Sequence, residues 1–221
     1  MIKNLWTDNI SKAKKIQDEL RRKVKIIPLK KTPLYIAGVD AAFMDDVIIA
    51  VASLYKYPEL IPLQDAVSRE KLRFPYVPGL LSFREGPAVI KALGKLKIQP
   101  DVILFDGQGI AHPKGIGIAS HIGVILNIPT IGCAKSRLTG EFEEPDAKKG
   151  SRTYLHHNDQ RVGAVLRTRT DVKPLFVSPG HLIDILSSID IVMKCTCRFR
   201  IPEPLRRADH LSKKFKLTSS F

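Results

Sequence analysis

Cysteine is scarce in this chain of 221 residues: only Cys133, Cys195 and Cys197 are present. An odd count, with two cysteines a single residue apart, does not make a disulfide framework. The Cys195-Thr196-Cys197 pair also lacks further ligands at zinc-site spacing. These thiols read as reduced strand or core residues of a cytoplasmic protein. Long hydrophobic runs are missing too. No stretch approaches the roughly 18 uninterrupted apolar residues of a membrane span, and Lys, Asp and Arg interrupt residues 1–25 where a signal peptide would need an apolar core. The expectation is a soluble, cytoplasmic protein with no membrane association and no obligate protein partner. No repeat, low-complexity tract or interdomain linker divides the chain, so residues 1–221 are expected to form one domain with an N-terminal helix and a basic C-terminal tail. Acidic residues are the other deficit: 22 Asp plus Glu stand against 36 Lys plus Arg, a net charge of +14. Such a field favours polyanions, either nucleic acid or an anionic membrane surface. A lysine-rich composition without such a partner is the plainer explanation.

The order of elements narrows the fold. Trp6, Ile10, Ala13, Ile16, Leu20 and Val24 recur at helical spacing, predicting an amphipathic helix over 6–24. Leu34 to Asp40 is an apolar run suited to a buried strand, and 47–57 and 61–69 predict two more strands in a meander. Two prolines and a glycine make Phe74-Pro-Tyr-Val-Pro-Gly79 a loop. Ser82 and Glu85 match a capping box, and Pro87 implies that the following helix begins a little later. Val102 to Asp106 predicts a strand, 107–115 a glycine-rich loop, 116–126 a helix and 129–134 a strand. Residues 137–158 look polar and irregular, 162–168 and 175–177 extended, 181–192 helical, and the tail helical after Pro204. Three meandering strands followed by alternating helices and strands give an α/β fold. Its mixed sheet would be flanked by helices on both faces, similar to the ribonuclease H-like fold.

Two apolar strands end in aspartates, Asp40 and Asp106, and Glu85 lies between them at a helix start. In an open α/β sheet this places the carboxylates at the carboxyl edge, where ligands bind. Three converging carboxylates would hold Mg²⁺ or Mn²⁺, hard cations that prefer oxygen. Taken singly, each residue is also explained as a turn or helix cap. Taken together, two aspartates after buried strands repel one another unless a cation compensates.

Three segments carry a resemblance. Tyr35-Ile-Ala-Gly-Val-Asp40, Phe74-Pro-Tyr-Val-Pro-Gly-Leu-Leu-Ser-Phe-Arg-Glu85 and Phe105-Asp-Gly-Gln-Gly-Ile-Ala-His-Pro113 resemble the hallmark segments of the endonuclease V family, over roughly 35–181. The resemblance implies a ribonuclease H-like nuclease that acts on nucleic acid containing deoxyinosine or inosine. It implies cleavage at the second phosphodiester 3′ to the lesion, with Mg²⁺ that Mn²⁺ can replace. Asp40, Glu85 and Asp106 become the metal carboxylates, and Lys135 and His210 match the family's active-site lysine and late histidine. Pro75, Tyr76, Val77, Pro78 and Gly79 become a wedge inserted beside the lesion. An aromatic ring there can fill the gap left by an unstacked base. Gly107 and Gly109 are implied in the base pocket, and His112 of the same loop would bind substrate at a phosphate or stand near the metal, with a hydrogen-bonded histidine as its ordinary reading. Arg84 and the tail's Arg198, Arg200, Arg206, Arg207, Lys213 and Lys214 suit phosphate contacts, with a solvated basic face as their ordinary reading. Two other readings stay open: a different nuclease of the same fold, such as a junction resolvase or hybrid nuclease, and a non-catalytic nucleic-acid-binding module.

Overall fold

The structure is a computed structural model that describes residues 5–217. Its elements run α1 (Ile10–Arg21), β1 (Tyr35–Met44), β2 (Val47–Lys56), β3 (Ile61–Lys71), α2 (Leu81–Leu93), β4 (Val102–Phe105), α3 (Ile118–Leu126), β5 (Thr130–Ala134), β6 (Arg152–His157), β7 (Gln160–Leu166), β8 (Leu175–His181), α4 (Ile185–Lys194) and α5 (Glu203–Leu217). All eight strands join one sheet in the order β3-β2-β1-β4-β5-β8-β7-β6. The central β1, β4 and β5 are parallel and every other pairing is antiparallel.

Alternation along the central strands makes two cores. Ile36, Val102, Leu104, Ile131 and Cys133 pack toward Ile189, Val192 and Leu205 of α4 and α5. Ala37, Val39, Ile103 and Phe105 pack on the opposite face toward Ala88, Val89 and Ile122 of α2 and α3. A strand buried on both faces must be apolar at every position, which is why β4 reads Val-Ile-Leu-Phe. Each fully buried aliphatic side chain contributes about 1.5–3 kcal/mol of transfer free energy. This is the expected mixed sheet with helices on both faces.

Several boundaries differ from the sequence expectation, each for a local reason. Helix α1 starts at Ile10 because the Asn9 side chain accepts from the Lys12 N–H at 2.9 Å. Trp6 precedes the helix and stacks on His121, with ring centroids 5.4 Å apart. The Ser82–Glu85 capping box does not form. Helix α2 begins at Leu81 with no side-chain cap and carries Pro87 inside it. Ser82 is buried, and Glu85 faces the acidic edge described below. The 137–158 segment contains β6, an outermost strand in which only Leu155 is buried, so its polar residues hid its extended form. Strand β8 runs through Pro179 to His181, with a register shift opposite Thr130 and Ile131. Helix α4 therefore starts only at Ile185, capped by Asp184 accepting from the Ser187 N–H at 2.7 Å. The three cysteines are free; Cys133 and Cys195 are core residues and Cys197 is exposed.

Candidate active site

The register of the parallel strands builds the acidic edge. β1 pairs with β4 only from Ile36↔Val102 to Val39↔Phe105. Asp40 and Asp106 are the next residues on each chain. Asp40 was expected at a strand tip. It lies within β1 instead, paired with Val51 of β2, because the β1–β2 hairpin continues to Met44 after β4 has ended. The consequence is the one anticipated: both carboxylates stand at the carboxyl end of β4.

Helix α5 supplies a third carboxylate. Pro204 and Leu205 lie against Gly38 of β1, where an added Cβ would meet the Pro204 carbonyl carbon at 2.2 Å. Leu205, Ala208 and Ser212 form the buried face of α5. This spacing of three and four brings Asp209 to the same side. One oxygen each from Asp40, Asp106 and Asp209 lie within 4.8 Å of one another. Ser212 Oγ donates to Asp40 Oδ2 at 2.5 Å. His210, the residue the resemblance singled out, follows Asp209 by about 100° around the helix and is exposed. Sequence reading missed Asp209. The available signal was the Leu205/Ala208/Ser212 stripe, which puts position 209, and not 210, on the sheet side.

Glu85 completes the group from α2. With Asp40 and Asp106 it lines a cavity of about 220 Å³ floored by Val39, Phe105 and Ile118. Burial, then the charges of Asp40 and Asp106, push the Glu85 carboxyl up to about 8 against the opposing Arg84. Asp40 rises to about 6, chiefly by burial; Asp106 and Asp209 add to the rise, while Ser212 and Lys135 oppose it. Lys135, just past β5, bonds Asp106 Oδ2 and lies 3.9 Å from Asp209 Oδ1. Burial works against its charge, yet the Asp106 bond and the neighbouring aspartates hold its pKa above the usual lysine value. Lys135 at Asp106 and Lys213 at Asp209 offset part of the charge of the four carboxylates, while neither bonds Asp40 or Glu85. The donor set is all oxygen, and Asp40 and Glu85 within it are pushed toward protonation, which is the environment a hard divalent cation relieves.

The Phe74–Gly79 loop leads into α2, the helix that carries Glu85. Tyr76 at its tip is 72% exposed, between exposed Pro75 and the partly covered Val77 and exposed Pro78. The Leu80 N–H returns to the Val77 carbonyl at 3.0 Å, and Gly79 has φ +81°. Proline then glycine at the centre of such a turn is the type II pattern, which requires a residue tolerant of positive φ. Arg84, expected at a phosphate, is engaged with the protein: it donates to the Phe74 carbonyl at 3.0 Å and stacks over Phe43 at 4.6 Å.

The glycine-rich loop after β4 is tightly bonded. The Gly107 N–H reaches the Phe105 carbonyl at 3.0 Å, and the Gly109 N–H reaches Ser178 Oγ at 2.7 Å. Gly109 therefore fixes the loop to β8. His112 is buried, and burial lowers its pKa to about 4, keeping the ring neutral. Its Nδ1 accepts the Lys114 N–H at 3.1 Å, while the ring also bonds the Gly79 backbone. The Phe74–Gly79 loop and the glycine-rich loop thus meet at His112. Much of the tail's basic charge is paired: Arg207 grips Asp65 at 2.6 Å, Arg206 bonds Glu203 at 2.8 Å, and Lys213 bonds Asp209 at 2.8 Å. Arg200 donates to the Lys135 carbonyl at 2.8 Å, and Arg198 is exposed. Among the described residues, no helix is long and apolar enough to cross a membrane.

Comparison with known proteins agrees with this geometry. The sequence model of the Endonuclease V family matches residues 18–210. Endonuclease V of Dictyoglomus turgidum is 47% identical over 205 residues, covering 93% of this chain and 90% of the relative. The crystal structure of Endonuclease V from Streptomyces avermitilis superposes with a TM-score of 0.93 at 40% identity, over 98% of this chain and 96% of that one. Endonuclease V of Ciona intestinalis, crystallised with a 24mer DNA containing an inosine followed by a ribo-adenosine, superposes with a TM-score of 0.84 at 28% identity, covering 96% and 99% of the two chains. With its carboxylate edge and its Pro-Tyr-Val-Pro-Gly loop on one sheet, this chain belongs to the endonuclease V family.

Proposed function

We propose that this endonuclease recognises deaminated adenine, as deoxyinosine, and hydrolyses the second phosphodiester bond 3′ to it, with inosine in RNA as a further substrate. The observation that carries the proposal is the meeting of Asp40, Asp106 and Asp209 beside Glu85, on the helix that follows the loop exposing Tyr76. The family membership and the inosine-containing DNA bound by the Ciona relative support the choice of lesion.

Asp40, Glu85, Asp106 and Asp209 would hold Mg²⁺, with Mn²⁺ an acceptable substitute. When bound, the cation supplies charge for the phosphate and a water of lowered pKa. The residues of the chain then divide the remaining work. Tyr76, stiffened by Pro75 and Pro78, enters the stack beside the lesion and loses little entropy in doing so. The loop from Gly107 through Gly109 to His112 helps to form the pocket for the displaced base. Lys135 sits where it can face the scissile phosphate while neutralising part of the Asp106 charge. His210 has an outer position on α5, suited to a phosphate further along the strand.

The test uses an end-labelled oligonucleotide with one central deoxyinosine, incubated with Mg²⁺ alongside EDTA and Asp40→Ala controls. A single nick one nucleotide beyond the lesion, absent from both controls, is the expected result. A folded protein that makes no lesion-dependent nick with Mg²⁺ or Mn²⁺, on DNA or inosine RNA, would return the chain to the other nuclease and binding-module readings.

A further inference from the structure

Gln17 lies on α1, outside every segment that the sequence motifs mark. It is nonetheless 3% exposed, a rare state for an amide side chain on an otherwise apolar helix face formed by Ala13, Ile16 and Leu20. Burying an amide is costly unless its donors are used, and here they are. Gln17 Nε2 donates to the Gly79 carbonyl at 2.7 Å and approaches the Ile116 carbonyl at 3.5 Å. Gly79 ends the wedge loop, and Ile116 lies just before Gly117 and α3, where the glycine-rich loop closes. One side chain from a helix 62 residues away in sequence therefore bridges the closing ends of both substrate-facing loops.

The Gly79 carbonyl is held by Gln17, and the His112 ring lies against the same residue. At the other end of the loop, Arg84 holds the Phe74 carbonyl. Between these clamps the tip carrying Tyr76 is free of the core and 72% exposed. Because Pro75 and Pro78 stiffen the tip, the direction in which Tyr76 points depends on how firmly the Gly79 peptide at its end is held.

We propose that Gln17 is a positioning residue for lesion recognition: its hydrogen bond to the Gly79 carbonyl fixes the wedge loop against the glycine-rich loop, so that Tyr76 and the base pocket are set before nucleic acid binds. The proposal rests on the wedge reading given above. It assigns Gln17 no contact with substrate and no part in the chemical step. Loss of the bond should appear as weaker capture of the lesion, because the ordering of the loop is then deferred to the binding event.

Three variants and two measurements test this. Gln17→Met keeps the length and packing of the side chain without donors, Gln17→Glu places an acceptor against the carbonyl, and Gln17→Lys keeps a donor at similar reach. Hydrogen exchange is measured on the full chain without nucleic acid. Single-turnover nicking is measured on an inosine oligonucleotide over a range of enzyme concentrations. The expectation for Gln17→Met and Gln17→Glu is about tenfold faster exchange confined to 76–80. The enzyme concentration for half-maximal nicking should rise about tenfold, equivalent to 1.4 kcal/mol, with the limiting rate changed less than threefold. Gln17→Lys should recover most of both. Should Gln17→Met fail to fold, the contrast between Gln17→Lys and Gln17→Glu carries the same comparison. Parent-like protection of 76–80 in the donorless variants, faster exchange throughout α1 and the sheet, or a loss that falls on the limiting rate would each overturn the assignment. If the parent itself makes no inosine-dependent nick, the functional reading fails separately, and the exchange pattern alone decides whether the clamp exists.

Discussion

Asp40 and Asp106 each lie one residue beyond Val39↔Phe105, the last parallel pair joining β1 to β4. Parallel register therefore sets two carboxylates side by side where the sheet's hydrogen bonding ends. Asp40 is inside a paired strand on one edge and faces the cluster on the other. Asp40→Ala is expected to reduce metal-dependent nicking on the order of 10³-fold, the equivalent of about 4 kcal/mol in the barrier. Inosine-oligonucleotide binding in a gel shift should stay within a few-fold of the parent. Joint loss of binding and cleavage, with a lowered melting temperature, would show that Asp40 serves the fold and not the reaction.

Asp209 and His210 are adjacent in sequence and differ in what they face. Asp209→Ala removes one of the three oxygens within 4.8 Å of each other, so it should raise the Mg²⁺ concentration for half-maximal activity at least tenfold. His210→Ala alters an exposed side chain and should leave the metal titration unchanged. Equal effects from the two substitutions would contradict the assignment of Asp209 to the metal.

The raised carboxyls predict a pH-dependent stability. Glu85 titrates at about 8 and Asp40 at about 6, against ordinary values of 4.5 and 3.8. Between about pH 4 and 8 the folded protein holds more protons on these groups than the unfolded chain, so their contribution destabilises progressively as pH rises through that window. Below it both states are protonated and the penalty vanishes; above it the penalty is complete. Thermal unfolding of the parent and Glu85→Gln in EDTA measures the Glu85 part directly. The variant should gain on the parent between pH 5 and 8.5, and Mg²⁺ should stabilise the parent more at the higher pH. A melting-temperature gap that does not change with pH would rule out the shift.

Tyr76 is exposed and therefore separates stability from recognition. Tyr76→Ala should change unfolding free energy by no more than about 0.5 kcal/mol, as surface substitutions do. Base stacking on an aromatic ring contributes about 1–3 kcal/mol, so the ratio of inosine to normal-strand affinity should drop about tenfold. Competition binding with matched inosine and adenosine duplexes measures it. An unaltered ratio would remove the wedge role.

The readable parts of the sequence were those in which one physical demand dominates. The two-sided burial of β1, β4 and β5 forces continuous apolar runs, and the proline-flanked loop announces itself through the two residue types that constrain backbone most. Weaker signals misled where two demands meet. Ser82 and Glu85 had the spacing of a capping box, but the carboxylate turned toward Asp40 and Asp106, and Ser82 was buried. The polar composition of β6 matched an exposed loop because an outermost strand with a single buried residue needs little apolar pattern.

Local sequence thus determined the α/β strand and helix order, the acidic residues ending the central apolar runs, and the stiff tyrosine loop. These depend on burial periodicity and backbone restriction, which act over a few residues. Only the tertiary structure decided that Asp209 and not His210 meets the other carboxylates, since that choice depends on how α5 rotates as it docks on Gly38. It alone decided that Gln17 bonds the Gly79 carbonyl across 62 residues of chain. Spacing along a chain fixes which side chains share a face; the packing of one element on another fixes what that face touches.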